Sequence, residues 1–408
     1  MLTREAQDRF TRVGPGTPMG ELLRRYWLPV AATAELPDNT AIEVMLLGEP
    51  LALFRSPSGK IGLIARRCPH RGVSLGYGMV EDEGLRCAYH GWRFGPDGQC
   101  NETPAEPAES RLKDRVRIAS YRVEELNGLI WAYMGPQPAP LLPRFDLYVW
   151  DDVDRDIGIT ELPCNWLQMV ENSMDPVHVE YLHARYLNYV LRRQGRANLT
   201  PEQHHERIAF DVFDYGVYKR RLLEGQSEDV DDWRTGHPIV FPTTLRSNNG
   251  QGHPNMQIRV PLDDTHTRYY TYQVYPCEGP RPREEVPVYE LPYRSADGRL
   301  IMEKVLNQDM SIWITQGAIS DRTTERLGSS DKGVILFRHL LEENLARLTR
   351  GEDPMGVIRD PSRNEIIWLE AEGGSGARHF LVQDLSQYGV DVWSARGSEA
   401  PLPRWGSG

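Results

Sequence analysis

Cys68-Pro69-His70-Arg71-Gly72 and Cys87-Ala88-Tyr89-His90-Gly91-Trp92 are the two stretches on which the reading of this chain turns. Each offers one thiol and one imidazole, and residues 71–86 lie between the two pairs. Two thiolates with two imidazoles also satisfy tetrahedral zinc. Zinc fingers, however, usually pair Cys with Cys and His with His, whereas here each half mixes the two. The mixture suits a [2Fe-2S] cluster in which one iron takes both thiolates and the other both imidazoles. Neutral imidazoles in place of two thiolates leave such a cluster less negative and more easily reduced. Cys68, His70, Cys87 and His90 are therefore the candidate cluster ligands, with the imidazoles expected on the exposed side.

Working outward, the surrounding texture is β. Short apolar runs at 42–47, 51–55, 61–65, 116–121 and 129–133 are punctuated by glycine and proline, which predicts a small all-β domain over 38–150. Residues 1–37 read as an N-terminal helical segment packing on the second domain. Thr17 supplies a cap and Pro18 a first-turn proline ahead of Leu22, Leu23, Tyr26 and Trp27. The proline-rich stretch 135–144 reads as a strap. Beyond it, 151–408 mixes helical patterns (167–182, 302–316, 334–348) with strand-like runs (208–213, 257–260, 268–275). The fold expected is α+β: an all-β cluster domain followed by an α+β catalytic domain whose antiparallel sheet is covered by helices.

The second domain carries its own constellation, Asn172-Ser173-Met174-Asp175-Pro176-Val177-His178-Val179-Glu180-Tyr181-Leu182-His183. On a straight α-helix His178 and His183 diverge by about 140° and cannot share an ion. If both are ligands, the helix is bent, π-bulged or interrupted between them. Two imidazoles and one carboxylate with positions left open describe a non-haem Fe(II) oxygenase centre. Asp175 sits near enough to His178 to orient its ring. The third ligand must come from far along the chain, where Asp309, Glu303 and Asp321 are the candidates.

Composition narrows the classes. The 408 residues hold 47 Lys and Arg against 58 Asp and Glu, a net charge of -11, which repels a phosphate backbone and argues against a nucleic-acid partner. No apolar run is long enough to span a membrane, and the N-terminal residues lack a signal-peptide apolar region, so a cytoplasmic protein is expected. The cysteines Cys68, Cys87, Cys100, Cys164 and Cys277 are an odd, scattered set, unlike a disulfide framework. No dinucleotide fingerprint or Walker loop is present, the stretches 14–16 and 373–376 reading as turns, so electrons are expected from a separate NAD(P)H-dependent reductase. Arg207, Arg246 and Arg259, in or beside the predicted sheet, are candidates for capturing a substrate carboxylate.

Cys68-x-His70 with Cys87-x-x-His90 resembles the Rieske motif. Arg71 and Gly91-Trp92, with Gly72 and Ala88 where respiratory Rieske proteins carry a disulfide, are similar to the ring-hydroxylating oxygenase branch. Asn172, Asp175, His178 and His183 match that family's Asn-x2-Asp-x2-His-x4-His signature. Asp309, followed by Gly317, Asp321-Arg322-Thr323 and Leu327-Gly328, falls where the family places its third ligand. The resemblance is nearest to the phthalate dioxygenase type and to aromatic O-demethylases such as those acting on dehydrodivanillate. It implies an oxygenase subunit with a [2Fe-2S] cluster and mononuclear Fe(II), using dioxygen and two external electrons to O-demethylate or hydroxylate a small aromatic carboxylate. A cis-dihydroxylating dioxygenase and a Rieske electron carrier are the alternatives. It also implies that Asp175, with Asn172 beside it, links the mononuclear site to His90 of a neighbouring subunit in a head-to-tail homotrimer or a dimer of trimers.

Overall fold

The computed structural model describes residues 1–151, 153–248, 253–276 and 285–371; Cys277 and the 373–376 turn lie outside the described residues. Two helices open the chain, α1 (Arg4–Thr11) and α2 (Pro18–Leu23). Thr17 caps α2 by accepting the Gly20 N–H at 3.2 Å, with Pro18 next, as its sequence predicts.

Ten strands form the N-terminal half: β1 (Trp27–Ala32), β2 (Thr40–Leu46), β3 (Glu49–Arg55), β4 (Ile61–Ala65), β5 (Met79–Glu81), β6 (Gly84–Arg86), β7 (Arg93–Phe94), β8 (Cys100–Glu102), β9 (Ser120–Leu126) and β10 (Leu129–Tyr133). They make a six-stranded sheet in the order β1-β10-β9-β4-β3-β2 and a four-stranded sheet β5-β6-β7-β8. The expected helical reading of Tyr26 and Trp27 is corrected here. Trp27 begins β1, which pairs antiparallel with β10, so the end of the 1–37 segment belongs to the small domain's sheet. All six β1 residues are buried; an apolar run buried on both faces does not show strand alternation.

After the short helix α3 (Asp146–Val149) come β11 (Val153–Leu162), α4 (Trp166–Ser173), a π-helix (Val179–Tyr186) continuing into α5 (Leu187–Arg193), β12 (His205–Phe213), β13 (Gly216–Leu223), α6 (Asp231–Arg234), β14 (His237–Val240), β15 (Thr244–Asn248), β16 (Pro254–Pro261), β17 (Thr267–Pro276), β18 (Val288–Glu290), α7 (Val305–Thr315) and α8 (Lys332–Thr349). The eight strands form one sheet, β12-β13-β14-β15-β16-β17-β11-β18, antiparallel except for the β11–β18 pair.

One apolar core joins the halves, running from Leu22 and Trp131 through Ile157 and Val260 to Met174 and Phe337. The contact is also polar. Leu47 and Gly48 donate their N–H groups to the carbonyls of Pro261 and Leu262, and Tyr272 donates its hydroxyl to the Asn127 carbonyl at 2.9 Å. The 135–144 strap is stitched to residues 358–367, with Leu141 N–H on Ile358 and the Arg144 N–H on Asn364 Oδ1.

Candidate functional site

The two cysteine loops are built alike. In the first, Cys68 N–H donates to Val73 O and Gly72 N–H to Cys68 O; in the second, Cys87 N–H donates to Trp92 O and Gly91 N–H to Cys87 O. Gly72 and Gly91 hold φ of 75° and 74°, a left-handed conformation that costs other residues about 1–2 kcal/mol. The arginine before each cysteine braces its own loop, Arg67 donating to Gly72 O at 2.8 Å and Arg86 to Gly91 O at 2.8 Å. Neither arginine was a candidate from sequence, although the repeated spacing of Arg, Cys and Gly was a usable signal.

Both thiols are buried, at 1 % exposure each, while His70 is exposed and His90 half-buried, so the sulfurs face inward and the rings outward. The two rings approach with centroids 4.5 Å apart, and His70 stacks flat on Trp92 at 4.6 Å. Burial pushes the Cys68 thiol up to about 11, although the His70 and Arg71 N–H groups favour its thiolate. A thiolate here therefore needs a cation. The Nδ1 of His90 is buried with no hydrogen-bond partner among the described residues. Two inward thiols and an orphaned ring nitrogen fit a [2Fe-2S] cluster.

The second centre begins where α4 stops. Asp175 is followed by Pro176, which has no N–H to lose, and accepts the N–H groups of Val177 (2.7 Å) and His178 (3.3 Å), the geometry of a helix cap. Its oxygen lies 3.5 Å from His178 Nδ1, so the aspartate holds the backbone more closely than the ring. The helix then widens into a π-helix over Val179–Tyr186. That widening brings the two rings together, with centroids 5.1 Å apart. Glu180 in the same helix is turned away from them, with its carboxylate on His204 Nδ1 and the His205 N–H at 3.0 Å each.

From α7, Asp309 closes the group. Its Oδ1 lies 3.1 Å from His183 Nε2 and 3.7 Å from His178 Nε2, and the three ligand atoms all fall within 4.8 Å of one another. Donors about 2.1 Å from a common ion and near right angles are about 3 Å apart, so the trio is spaced for one metal. Asp309 Oδ1 is buried without a hydrogen bond of acceptable geometry. Burial pushes the Asp309 carboxyl up, but His183, His178 and Arg259 together bring it below the usual carboxylate range. It is held as an anion, ready to ligate. Glu303 instead accepts from Arg299 and the Met302 N–H, and Asp321 from Thr323, so neither joins the trio.

Gln168 fixes the spacing of the two helices by donating from α4 to the carbonyls of Trp313 (2.7 Å) and Gly317 (2.9 Å) at the end of α7. On the other flank Arg322 and Arg338 clamp Glu171. Gln308 sits against the far nitrogen of His183, at 2.9 Å. These five residues were not candidates from sequence, since nothing but adjacency to the motifs distinguishes them. The side chain of Asn172, by contrast, makes no hydrogen bond among the described residues.

The three candidate arginines part company. Arg207 lies on edge strand β12, 45 % exposed, paired with Glu228 and stacked on Trp233. Arg246 is buried and pairs across strands with Met256. Arg259 is three residues beyond Met256, so strand alternation sends it to the opposite face. There it is 1 % exposed, stacked over Tyr269 and Trp313 at 5.4 and 5.8 Å, bonded to Gln257, and near enough to Asp309 to stabilise its charge. Of the three candidates, Arg259 is the one whose charge acts on the Asp309 carboxylate.

Comparison with known proteins agrees with this layout. Residues 26–122 match the Rieske [2Fe-2S] domain and residues 300–367 the "LigXa C-terminal domain like" family. The chain is 43 % identical over 375 residues to the 5,5'-dehydrodivanillate O-demethylase oxygenase subunit of Sphingobium sp. (strain NBRC 103272 / SYK-6), covering 90 % of this chain and 86 % of that one. It is 33 % identical over 414 residues to the phthalate 4,5-dioxygenase oxygenase subunit of Pseudomonas putida, covering 91 % and 92 %. The oxygenase of a carbazole 1,9a-dioxygenase oxygenase–ferredoxin complex shares the fold, with a TM-score of 0.64 at 22 % identity over 93 % of this chain and 99 % of that one. Such subunits work in systems whose electrons come from a separate reductase or ferredoxin. The chain belongs to the Rieske non-haem iron oxygenase family, as an oxygenase subunit carrying a [2Fe-2S] cluster and a mononuclear iron site.

Proposed function

We propose that this subunit oxidises a small aromatic carboxylate, by O-demethylation or ring hydroxylation, with electrons originating in an NAD(P)H-dependent reductase. Arg259 carries the substrate class. Among the described residues it is a buried cation bonded to Gln257 and to no carboxylate, and its Nε has no partner. Fully desolvated guanidinium groups are costly unless paired, and a carboxylate ligand is the natural partner for its fork of donors.

His178, His183 and Asp309 would hold the iron, and Cys68, His70, Cys87 and His90 the cluster. The bound metals supply dioxygen reduction. The protein's own groups do the rest. Arg259 orients the substrate acid, and Tyr269 and Trp313 wall its side of the site against water. Asp175 keeps the helix start in place and offers its remaining surface to a second copy. Residues 38–150 with β1 form the cluster domain in this reading, and 151–408 the mononuclear iron domain.

The assembly is a homotrimer, alone or doubled, in which His90 of one copy meets Asp175 of the next. Exposed apolar residues support it on both faces: Val73, Tyr77, Met79 and Tyr89 beside the cluster loops, and Tyr181, Tyr186 and Tyr189 on the histidine helix. Cys68, Cys87, Cys100 and Cys164 carry no disulfide, which suits the cytoplasm. Among the described residues, no helix is long and apolar enough to cross a membrane.

The test is a screen of methoxylated and plain aromatic acids with a generic reductase. Substrate-dependent oxygen uptake accompanied by formaldehyde identifies O-demethylation, and uptake without it identifies ring oxidation. No substrate-dependent uptake from fully metallated protein across the panel contradicts the proposal.

A further inference from the structure

The two metal-facing histidines are backed by different chemistry. Behind His178 lies the Asp175 carboxylate; behind His183 lies an uncharged amide, with Gln308 Oε1 at 2.9 Å from Nδ1. The amide is not free to turn over. Its Nε2 donates to the Met302 carbonyl at 3.0 Å, and a carbonyl oxygen only accepts. The reversed amide sets two oxygens against each other, and Gln308, at 0 % exposure, has no water to relieve the clash. With Oε1 facing it, His183 must carry its proton on Nδ1. In the neutral imidazole, the form that binds a metal, the lone pair is then left on Nε2, the nitrogen 3.1 Å from Asp309 Oδ1.

We infer that Gln308 is a positioning residue that fixes the tautomer and ring plane of His183, and does so without adding charge. The inference rests on the reading of His183 as a metal ligand. A carboxylate at this position orients an imidazole equally well but also raises its basicity. Asp309 and Asp175 already bring two negative charges to the centre, and a substrate acid brings a third. A neutral support keeps the count from rising further.

The experiment uses the full-length protein with its cluster in place and Co(II) as the probe for the mononuclear site. Calorimetry gives Co(II) affinity, and proton NMR reports the hyperfine-shifted, exchangeable ring N–H signals of the histidines. Gln308→Leu should weaken Co(II) binding about 10- to 100-fold and lose the slowly exchanging N–H of His183, while the cluster's visible absorption is unchanged. Gln308→Glu, which restores an acceptor, should recover that N–H signal. Wild-type affinity and an intact signal in Gln308→Leu overturn the inference. Should that variant not fold, loss of the signal in Co(II)-loaded Gln308→Glu overturns it instead. His183→Ala separates the premise: if it binds Co(II) as tightly as wild type, the ligand assignment fails and not the role of Gln308 alone.

Discussion

The cluster loops take all four candidate ligands from residues 68–90, on two turns of the same design, whereas the mononuclear trio joins a helix ending at Arg193 to one beginning at Val305. The first centre is thus held by local backbone bonds and by an arginine next to each cysteine. The second depends on tertiary ties: Gln168 between α4 and α7, the Arg322 and Arg338 clamp on Glu171, and the Asp175 cap. Damage at the first should stay local. Damage at the second should spread to any group that sets the distance between the two helices.

The largest expected effects are reciprocal losses that break the two centres apart. His178→Ala should abolish turnover and leave the visible absorption of the cluster intact. Cys87→Ser should remove that absorption while the mononuclear site still takes up Co(II). A loss of both metals from either variant, with circular dichroism unchanged, contradicts their independence.

Next comes the substrate side. Arg259→Leu should raise KM for an aromatic acid about 10- to 100-fold, the equivalent of one hydrogen bond to a charged group, and change little for the corresponding ester. Arg207→Leu, at the exposed edge, should leave both values where they were. Equal effects of the two variants on acid and ester return the question of the substrate's charge to the beginning.

Asp175 sharpens the comparison because it caps the helix and, in the function proposed above, also serves electron transfer. Asn caps a helix as well as Asp does, so Asp175→Asn should keep the π-helix and both metals yet lower turnover about tenfold, through slower reoxidation of the cluster in stopped-flow absorption. Asp175→Ala should in addition lose about 1 kcal/mol of stability with the cap. Unchanged reoxidation in the Asn variant argues against any role beyond capping.

The smallest effects belong to the loop glycines. Gly91→Ala should cost more than Gly72→Ala, because both need a positive φ but only at Gly91 does an added Cβ come within 2.8 Å of Pro104. The difference, about 1 kcal/mol or less, is readable in thermal melts of the cluster-loaded protein. Equal melting of the two variants removes steric contact as the distinguishing cause.

Legibility in the sequence followed the same division. The candidate cluster ligands were readable because each loop is a short, self-contained signal. The π-helix was foreseeable from geometry alone, since His178 and His183 cannot converge on a regular helix. Asp309 required the family pattern, because one acid in a helix is indistinguishable from a solvated one. Strand β1 was misread as helix since Trp27 to Ala32 is apolar throughout, and a strand buried on both faces shows no period-2 signal. Arg207 and Arg246 could not be told from Arg259, because facing depends on the register of β12, β15 and β16, which forms only when the sheet does. Gln168 and Gln308 were invisible for a related reason: their partners, Gly317 and His183, come from elements far away in sequence.

The central claim is that one chain carries both a two-iron cluster and a third iron on His178, His183 and Asp309. Iron analysis of anaerobically reconstituted protein tests it most directly. The account predicts three irons per chain for wild type and two for His178→Ala, with equal cluster absorption. Two irons per chain in both, at full occupancy, contradicts it.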